Sequence, residues 1–260
     1  MYAGAVQRTR IAPGAPTASL VAGLFVDERQ RDVRAVVIPR VEIHIVARFG
    51  LPARGGLDVH AMGGRRTAHR KVLGRGQRAV TARLALGAPE AVLGISAAAV
   101  AGRIVALQEL WGDSATGRLL EGLAGARDMI DAAHVLEAAI AERAATAGGR
   151  RAPPQLALEA ADRLTGATVN AVASDLGVSE RHLRRVFREA VGVGPKTYAK
   201  LARFHRALRA AARNGHPGWA GVAAEAGYYD QAHLIAEFRA IAGVTPQALL
   251  AELRAAPSVG

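Results

Sequence analysis

The sequence predicts an α+β protein: a small β-barrel or sandwich with following helices, then an all-α region built from two copies of one helical unit. Three observations carry this. Stretches within residues 34–86 alternate apolar and polar side chains, the period of a half-buried strand. From Pro89 the period lengthens to that of a helix. Between Val172 and Pro246 one pattern occurs twice.

Composition sets the frame. With 260 residues, half of them hydrophobic, the chain is long enough for two packed domains. It has no cysteine, which excludes disulfides, thiolate metal sites and a cysteine nucleophile. A formal charge of +12 points to a polyanionic partner, through the attraction of Lys and Arg for phosphates. Residues 150–260 hold 15 basic against 9 acidic side chains, so only half of that excess lies there. The N-terminus MYAGAVQRTRIAPGAPTASL has no apolar stretch behind a basic start, and no window approaches ~18 uncharged apolar residues. A cytoplasmic protein with no membrane partner is expected.

In chain order, residues 1–20 read as irregular, punctuated by Pro13, Gly14 and Pro16. Arg34 to Gly50 is rich in β-branched residues, with Val41, Ile43 and Ile45 on one side and Glu42 and His44 on the other. Pro39 suggests an edge or a bulge there. The turn LPARGG leads to a second strand, LDVHAM, and a glycine pair; Val80 to Leu86 then alternates again. PEAVLG, SAAAVAGRIVAL, DSATGRLLEGLAG and ARDMIDAAHVLEAAIAERAA read as helices. In the last, Ile130, Ala133, His134, Leu136, Ala138 and Ile140 mark an apolar side, for core or for a dimer interface. His44, His60 and His69 lack the H-x-H pairing of a metal site and read as surface or partly buried polar residues, so no metal and no cofactor is expected. TAGGRRAPP has linker composition and divides the chain into 1–147, a linker at 148–154, and 155–255.

Beyond the linker, Thr168 can cap a short helix through Leu176 that carries Val169, Val172 and Ala173 as an apolar stripe, and Gly177 stops it. Ser179 caps the next helix, Ser179 to Ala190. Its Leu183, Val186, Phe187 and Ala190 share one face, and Arg181, Arg184, Arg185 and Arg188 crowd the other. Helix, glycine turn and arginine-faced helix are the pattern of a DNA-binding helix-turn-helix. Val172, Ala173 and Gly177 return as Val222, Ala223 and Gly227. Leu183, Phe187, Arg188, Gly192, Val193 and Pro195 return, after one inserted residue, as Leu234, Phe238, Arg239, Gly243, Val244 and Pro246. A joining helix starts at Pro195 and runs to about Arg213, where NGHPG breaks it. Tyr198, Leu201, Ala202, His205 and Leu208 share one of its faces; Lys196, Lys200 and Arg203 share another. At 1.5 Å per residue it spans roughly 27 Å, the order of one DNA turn.

Two such units in tandem resemble the AraC/XylS family of bacterial transcription regulators. The carrying residues are Ser179, His182-Leu183, Arg185, Phe187, Gly192 and Pro195 in the first unit and Arg203 and Ala207 in the joining helix. In the second unit they are GYYDQAHL with Phe238, Gly243, Thr245 and Pro246. The likeness spans roughly residues 155–253. Residues 1–147 resemble, more loosely, the cupin-like sensory and dimerisation domains that precede such DNA-binding domains. The resemblance implies double-stranded DNA and RNA polymerase as partners and leaves room for a small-molecule effector and a homodimer, with activation or repression both open.

Arginine matches guanine O6 and N7 through its two-pronged guanidinium. Arg181, Arg184 and Arg185 point outward, and the family's base-reading positions fall on them. Arg188, Lys196, Lys200 and Arg239 suit phosphates, which position without specifying. In the second unit the family's contact positions map to Gln231, Ala232, Ile235 and Ala236; Gln231 can bond adenine and Ile235 can touch a thymine methyl, or the helix can follow shape and phosphates instead. A ligand- or assembly-controlled regulator is the leading expectation. The alternative is a constitutive or architectural DNA-binding protein with no effector. An enzyme would need an acid–base or ligand cluster that the sequence does not offer, and no catalytic residue is expected.

Overall fold

The computed structural model describes residues 6–50, 56–146, 154–213 and 218–255. The expected LPARGG turn, the 148–154 linker and the NGHPG break lie almost wholly outside the described residues.

The N-terminal half is a two-sheet sandwich. Its larger sheet has the order β1-β2-β7-β4-β5-β8, with β1 (Val6–Ile11), β2 (Val21–Arg29), β4 (His44–Phe49), β5 (Leu57–Met62), β7 (Arg78–Leu84) and β8 (Ile104–Ala106). A two-stranded sheet pairs β3 (Val33–Val37) with β6 (His69–Leu73). Every pairing is antiparallel.

Several expectations are corrected here. Within the stretch 1–20, expected to be irregular, residues 6–11 form β1. That strand is held by cross-strand partners, Arg8 opposite Asp27 and Arg10 opposite Phe25, so no apolar alternation announces it. The stretch 34–50 is two strands in different sheets. Pro39, which has no N–H for a ladder, falls in the gap between them. The run SAAAVAGRIVAL is not one helix. It divides into α2 (Ala97–Val100), strand β8, and the start of α3 (Leu107–Trp111), with Gly102 turning the chain at φ +71° and β-branched Ile104 and Val105 pairing beside β5. The Gly63-Gly64 pair lets backbones meet, because a Cβ there would collide with the carbonyls of Val100 and Val41.

The helices α1 (Pro89–Leu93), α4 (Asp113–Ala124) and α5 (Met129–Thr146) cover one face of the larger sheet. Leu24, Ile45, Val80 and Leu84 meet Leu136 and Ile140 there. On the same strands the alternate residues Asp27, His44, Arg48 and His60 point the other way. The apolar side of α5 is core, and it is half the side expected: Ala133, Leu136 and Ile140 are buried together with Met129 and Ala132, whereas Ile130, His134 and Ala138 are exposed. Glu137 is buried on it and accepts hydrogen bonds from Gly14 N (2.6 Å) and Thr17 Oγ1, which pins the link between β1 and β2 to the helix.

Residues 155–255 are helical throughout their elements: α6 (Gln155–Arg163), α7 (Val169–Asp175), α8 (Glu180–Val191), α9 (Pro195–Arg213), α10 (Trp219–Ala226), α11 (Gln231–Ala242) and α12 (Pro246–Ala255). Leu183, Phe187, Phe204, Leu234 and Phe238 are fully buried at their centre. Val36, Ile38 and Val41 of the small sheet and its exit join this second core, so the sandwich shares apolar packing with the helices. No single described helix is long and apolar enough to cross a membrane.

Candidate nucleic-acid interface

Each unit is assembled by the same local chemistry. Thr168 Oγ1 accepts from Ala171 N (3.3 Å) at the start of α7, and Gly177 ends it at φ +65°. Ser179 Oγ then accepts from His182 N (3.2 Å) to open α8. In the second unit Gly227 turns the chain at φ +80° and Asp230 Oδ1 accepts from His233 N (2.7 Å) to open α11. Turn and cap recur at the repeat's spacing because an orphan helix end needs them.

In α8, Leu183 and Phe187 are buried, Val186 and Ala190 are half-buried, and Arg181, Arg184, Arg185 and Arg188 are all exposed. The structure therefore gathers the four arginines on one solvent face. Two of them have acidic partners one helical turn away that the sequence reading did not weigh. Arg184 pairs with Glu180, and Arg185 Nη1 lies 3.5 Å from Glu189 Oε1. Surface pairs of this kind contribute less than about 1 kcal/mol, so a phosphate or a guanine edge can displace them.

Joining helix α9 runs over the expected span, but its buried stripe is Leu201, Phe204, Ala207, Ala210 and Ala211, with Tyr198, Ala202, His205 and Leu208 half-buried beside it. Lys196 is exposed and Lys200 half-exposed; neither has a hydrogen bond or ion pair among the described residues. Arg203 is not on a solvent-facing basic side. It turns in, and its Nη2 donates to Glu237 Oε2 of α11 at 3.1 Å, while Tyr228 OH donates to Glu237 Oε1 at 2.7 Å. Burial and the Glu237 carboxylate both push the Tyr228 phenol upward, so it remains a donor.

On α11, Gln231, Ala232, Ala236 and Arg239 are exposed. Ile235 is half-buried and packs against the helical core, which takes part of its surface away from any thymine methyl. The sequence reading passed over Tyr229, the residue before the Asp230 cap, which is 93% exposed. It follows Gly227-Tyr228, where the two copies of the repeat lose their common spacing.

His44 and His60 lie on the larger sheet and His69 on the smaller one. Among the described residues no three His, Asp or Glu side chains form a metal-sized group. Burial holds the His44 imidazole down at about 4.

The sandwich touches both units and the helix between them. Ala68 N donates to Ile241 O at the end of α11 (2.8 Å). Arg70 donates through Nε and Nη2 to Glu252 of α12 (2.7 and 3.0 Å) and through Nη1 to Ala242 O (3.2 Å). His205 Nε2 on α9 bonds Pro39 O at 2.7 Å, and burial lowers the pKa of that imidazole. Helix α2 lies against the end of α8, so near that a Cβ on Gly192 would stand 3.1 Å from Ala97 O.

Two capped helix-turn-helix units on one connecting helix define a DNA-binding module. Residues 158–252 match the family model described as a helix-turn-helix domain, and this part of the chain is a DNA-binding domain of the AraC type, as found in transcription regulators. Among solved structures, ToxT from Vibrio cholerae is similar at 11% identity over 91% of this chain and 98% of that one, with a TM-score of 0.40. A further ToxT structure at 1.65 Å resolution gives 9%, 95%, 98% and 0.43, and one of wild-type ToxT bound to an unsaturated fatty acid gives 8%, 98%, 97% and 0.42. No curated protein sequence matches the chain.

Proposed function

We propose that the protein is a sequence-specific transcription regulator, divided into a sensory or assembly part (1–147), a linker (148–154) and a two-unit DNA reader (155–255). The observation that carries this is the exposed arginine face of α8 on a capped helix-turn-helix. Arg181, Arg184 and Arg185 read bases; Arg188, Lys196, Lys200 and Arg239 hold phosphates. Gln231 is the base-reading residue of α11, and Ile235, half-withdrawn into the core, adds little sequence information. The reader works in the cytoplasm, on double-stranded DNA and with RNA polymerase, and catalyses nothing.

Control by the N-terminal part is supported by its contacts to α8, α9, α11 and α12, because anything that alters the sandwich acts on the placement of both recognition helices. Homodimerisation would add a second pair of units. Selection of duplexes from a random pool by the full-length chain, at a stated salt concentration, tests the reading. A motif with one strong and one weak half about a helical turn apart is expected. Enrichment of no sequence would leave a constitutive or architectural DNA binder.

A further inference from the structure

The face of the larger sheet turned away from α1, α4 and α5 carries more positive charge than its own acids neutralise. Arg8, Asp27, Arg48 and Asp58 stand there in cross-strand register, and Arg29 follows Asp27 on the same side of β2. On the small sheet Lys71 and His69 lie opposite Ala35 and Val37, on the side that faces this row. Lys71 accordingly feels the charges of Arg29, Asp27 and Arg48, and its own charge reaches His60. Arg65, in the link between β5 and β6, acts on both Lys71 and His69.

The acids nearby are already taken. Asp58 accepts from Arg48 Nε (2.8 Å) and Nη2 (2.5 Å), and Asp27, 3% exposed, lies 3.8 Å from Arg8 Nε. Arg29 is 8% exposed, has no acid within ion-pair distance among the described residues, and its Nε is without a partner. His69 Nδ1 is buried and likewise unpartnered. The side chains of Lys71 and Arg65 have no hydrogen bond or ion pair among the described residues. Desolvation lowers the pKa of Lys71 and of Arg29. Withdrawing a cation from water without a partner is costly, so open donors gathered between two sheets call for an acceptor from outside the chain.

We propose that a phosphoryl oxyanion, as free phosphate or as the phosphate of an ester, binds between the two sheets, held by Arg29, Lys71, Arg65 and His69. Donors from strands of two different sheets and from a loop approach from several directions. That suits the oxygens of a tetrahedral group better than the two in-plane oxygens of a carboxylate. The His69 imidazole, kept neutral by desolvation and by the Arg65 and Lys71 charges, still offers an N–H. Lys71 keeps exposed surface, which gives the ion a way in. The two sides of β6 then have separate tasks: His69 and Lys71 hold the ion, while Arg70 between them reaches Glu252 and Ala242 O of the second unit. An ion that draws β6 toward β2 therefore alters how that unit is held. This second step rests on the regulator reading; the binding itself does not.

The test titrates the full-length chain with inorganic phosphate, glycerol 3-phosphate and acetate by calorimetry at constant ionic strength. One saturable site is expected for a phosphoryl ligand; a preference for the ester assigns the site to a phosphorylated metabolite, and a preference for phosphate assigns it to the free ion. Lys71→Gln, at an exposed position, should keep the circular dichroism spectrum and weaken binding at least about tenfold. Arg29→Gln should abolish the rise in thermal midpoint that phosphate gives the unaltered protein, while raising the midpoint of the ion-free chain by removing an unpaired buried charge. Arg34→Gln, on the other face of the same small sheet, should change neither. Unsaturable binding, indifference to Lys71→Gln, or a response to Arg184→Gln in its place, which would put the ion on α8, would overturn the site. Acetate binding as tightly as phosphate would overturn the phosphoryl class. With a selected duplex, saturating phosphate should change DNA affinity more than about twofold in the unaltered chain and not in Lys71→Gln; equal effects in both would overturn the coupling. DNA affinity measured without phosphate reports on the regulator reading alone, so the two failures are separate.

Discussion

Arg203 and Glu237 join two helices that a sequence reading keeps apart: the joining helix donates through Nη2 at 3.1 Å to a carboxylate that is itself buried in the second recognition helix. The same carboxylate takes the hydroxyl of Tyr228. One acid thus fixes where α11 sits relative to α9.

Replacing Glu237 by Ala should destabilise the protein by about 3 kcal/mol, since breaking a buried pair leaves Arg203 and Tyr228 without their acceptor. Tyr228→Phe should cost only about 1 kcal/mol, the net value of one hydrogen bond. Urea denaturation followed by circular dichroism checks both. Equal losses would mean that the Arg203 contact contributes nothing.

Arg185→Ala should relax sequence preference in the first half-site, by about 1–3 kcal/mol at one base pair. Ile235→Ala should leave preference nearly unchanged while lowering stability, because part of that side chain is packing. Repeating the duplex selection with each variant shows which half of the motif fades.

Glu180→Gln and Glu189→Gln should tighten DNA binding a few-fold at low salt and less at high salt. Each removes an acid that occupies an arginine on the α8 face and repels phosphate. Fluorescence anisotropy across a salt series would detect this, and weaker binding by both variants would contradict it.

Acid should destabilise the protein through His44. Its folded pKa of about 4 lies below the ordinary value of 6.5, so the unfolded chain binds the proton more readily and stability falls as pH drops through that window. The loss approaches about 3 kcal/mol by pH 4. His205 acts in the same direction, its pKa being lowered by burial and by the nearby charges of Arg40 and Arg209. His44→Gln should flatten the acid limb of a stability profile measured between pH 7 and 4.5.

Gly192→Ala should cost more than Gly243→Ala. Both glycines end a recognition helix in the left-handed region, at φ +86° and +74°, which alone costs roughly 1 kcal/mol with a side chain. Only at Gly192 would the new Cβ also press on Ala97 O, 3.1 Å away, whereas Gly243 has open space. The difference between their thermal midpoints measures the contact between α2 and α8.

The C-terminal helices were legible because caps, glycine stops and a repeated Leu-x-x-x-Phe-Arg write their boundaries locally. The expected start of the joining helix, Pro195, is the observed one. The sandwich was half legible. Strand β2 was missed since VAGLFVDER carries no simple alternation and is buried on both sides, Asp27 and Arg29 included. Strand β1 gives no apolar signal, and β8 looked like helix until it found β5. The arginine face of α8 could be read from a wheel. The inward turn of Arg203 could not, because it depends on Glu237 arriving from 34 residues away. Glu237 was the available signal, an acid on the α11 face that carries Leu234, Phe238 and Ile241, with Tyr228 in the turn before it.

The bond from Ala68 N to Ile241 O is made by main chain alone. Nearly every substitution at either position preserves the two groups that form it, so mutational drift can rewrite both surfaces without severing the tie between sandwich and reader. Proline at position 68 is the exception, as it brings no N–H. A lineage in which that one residue appeared would keep the two halves joined through side chains, at Arg70 and His205, and through the packing of α2 on α8.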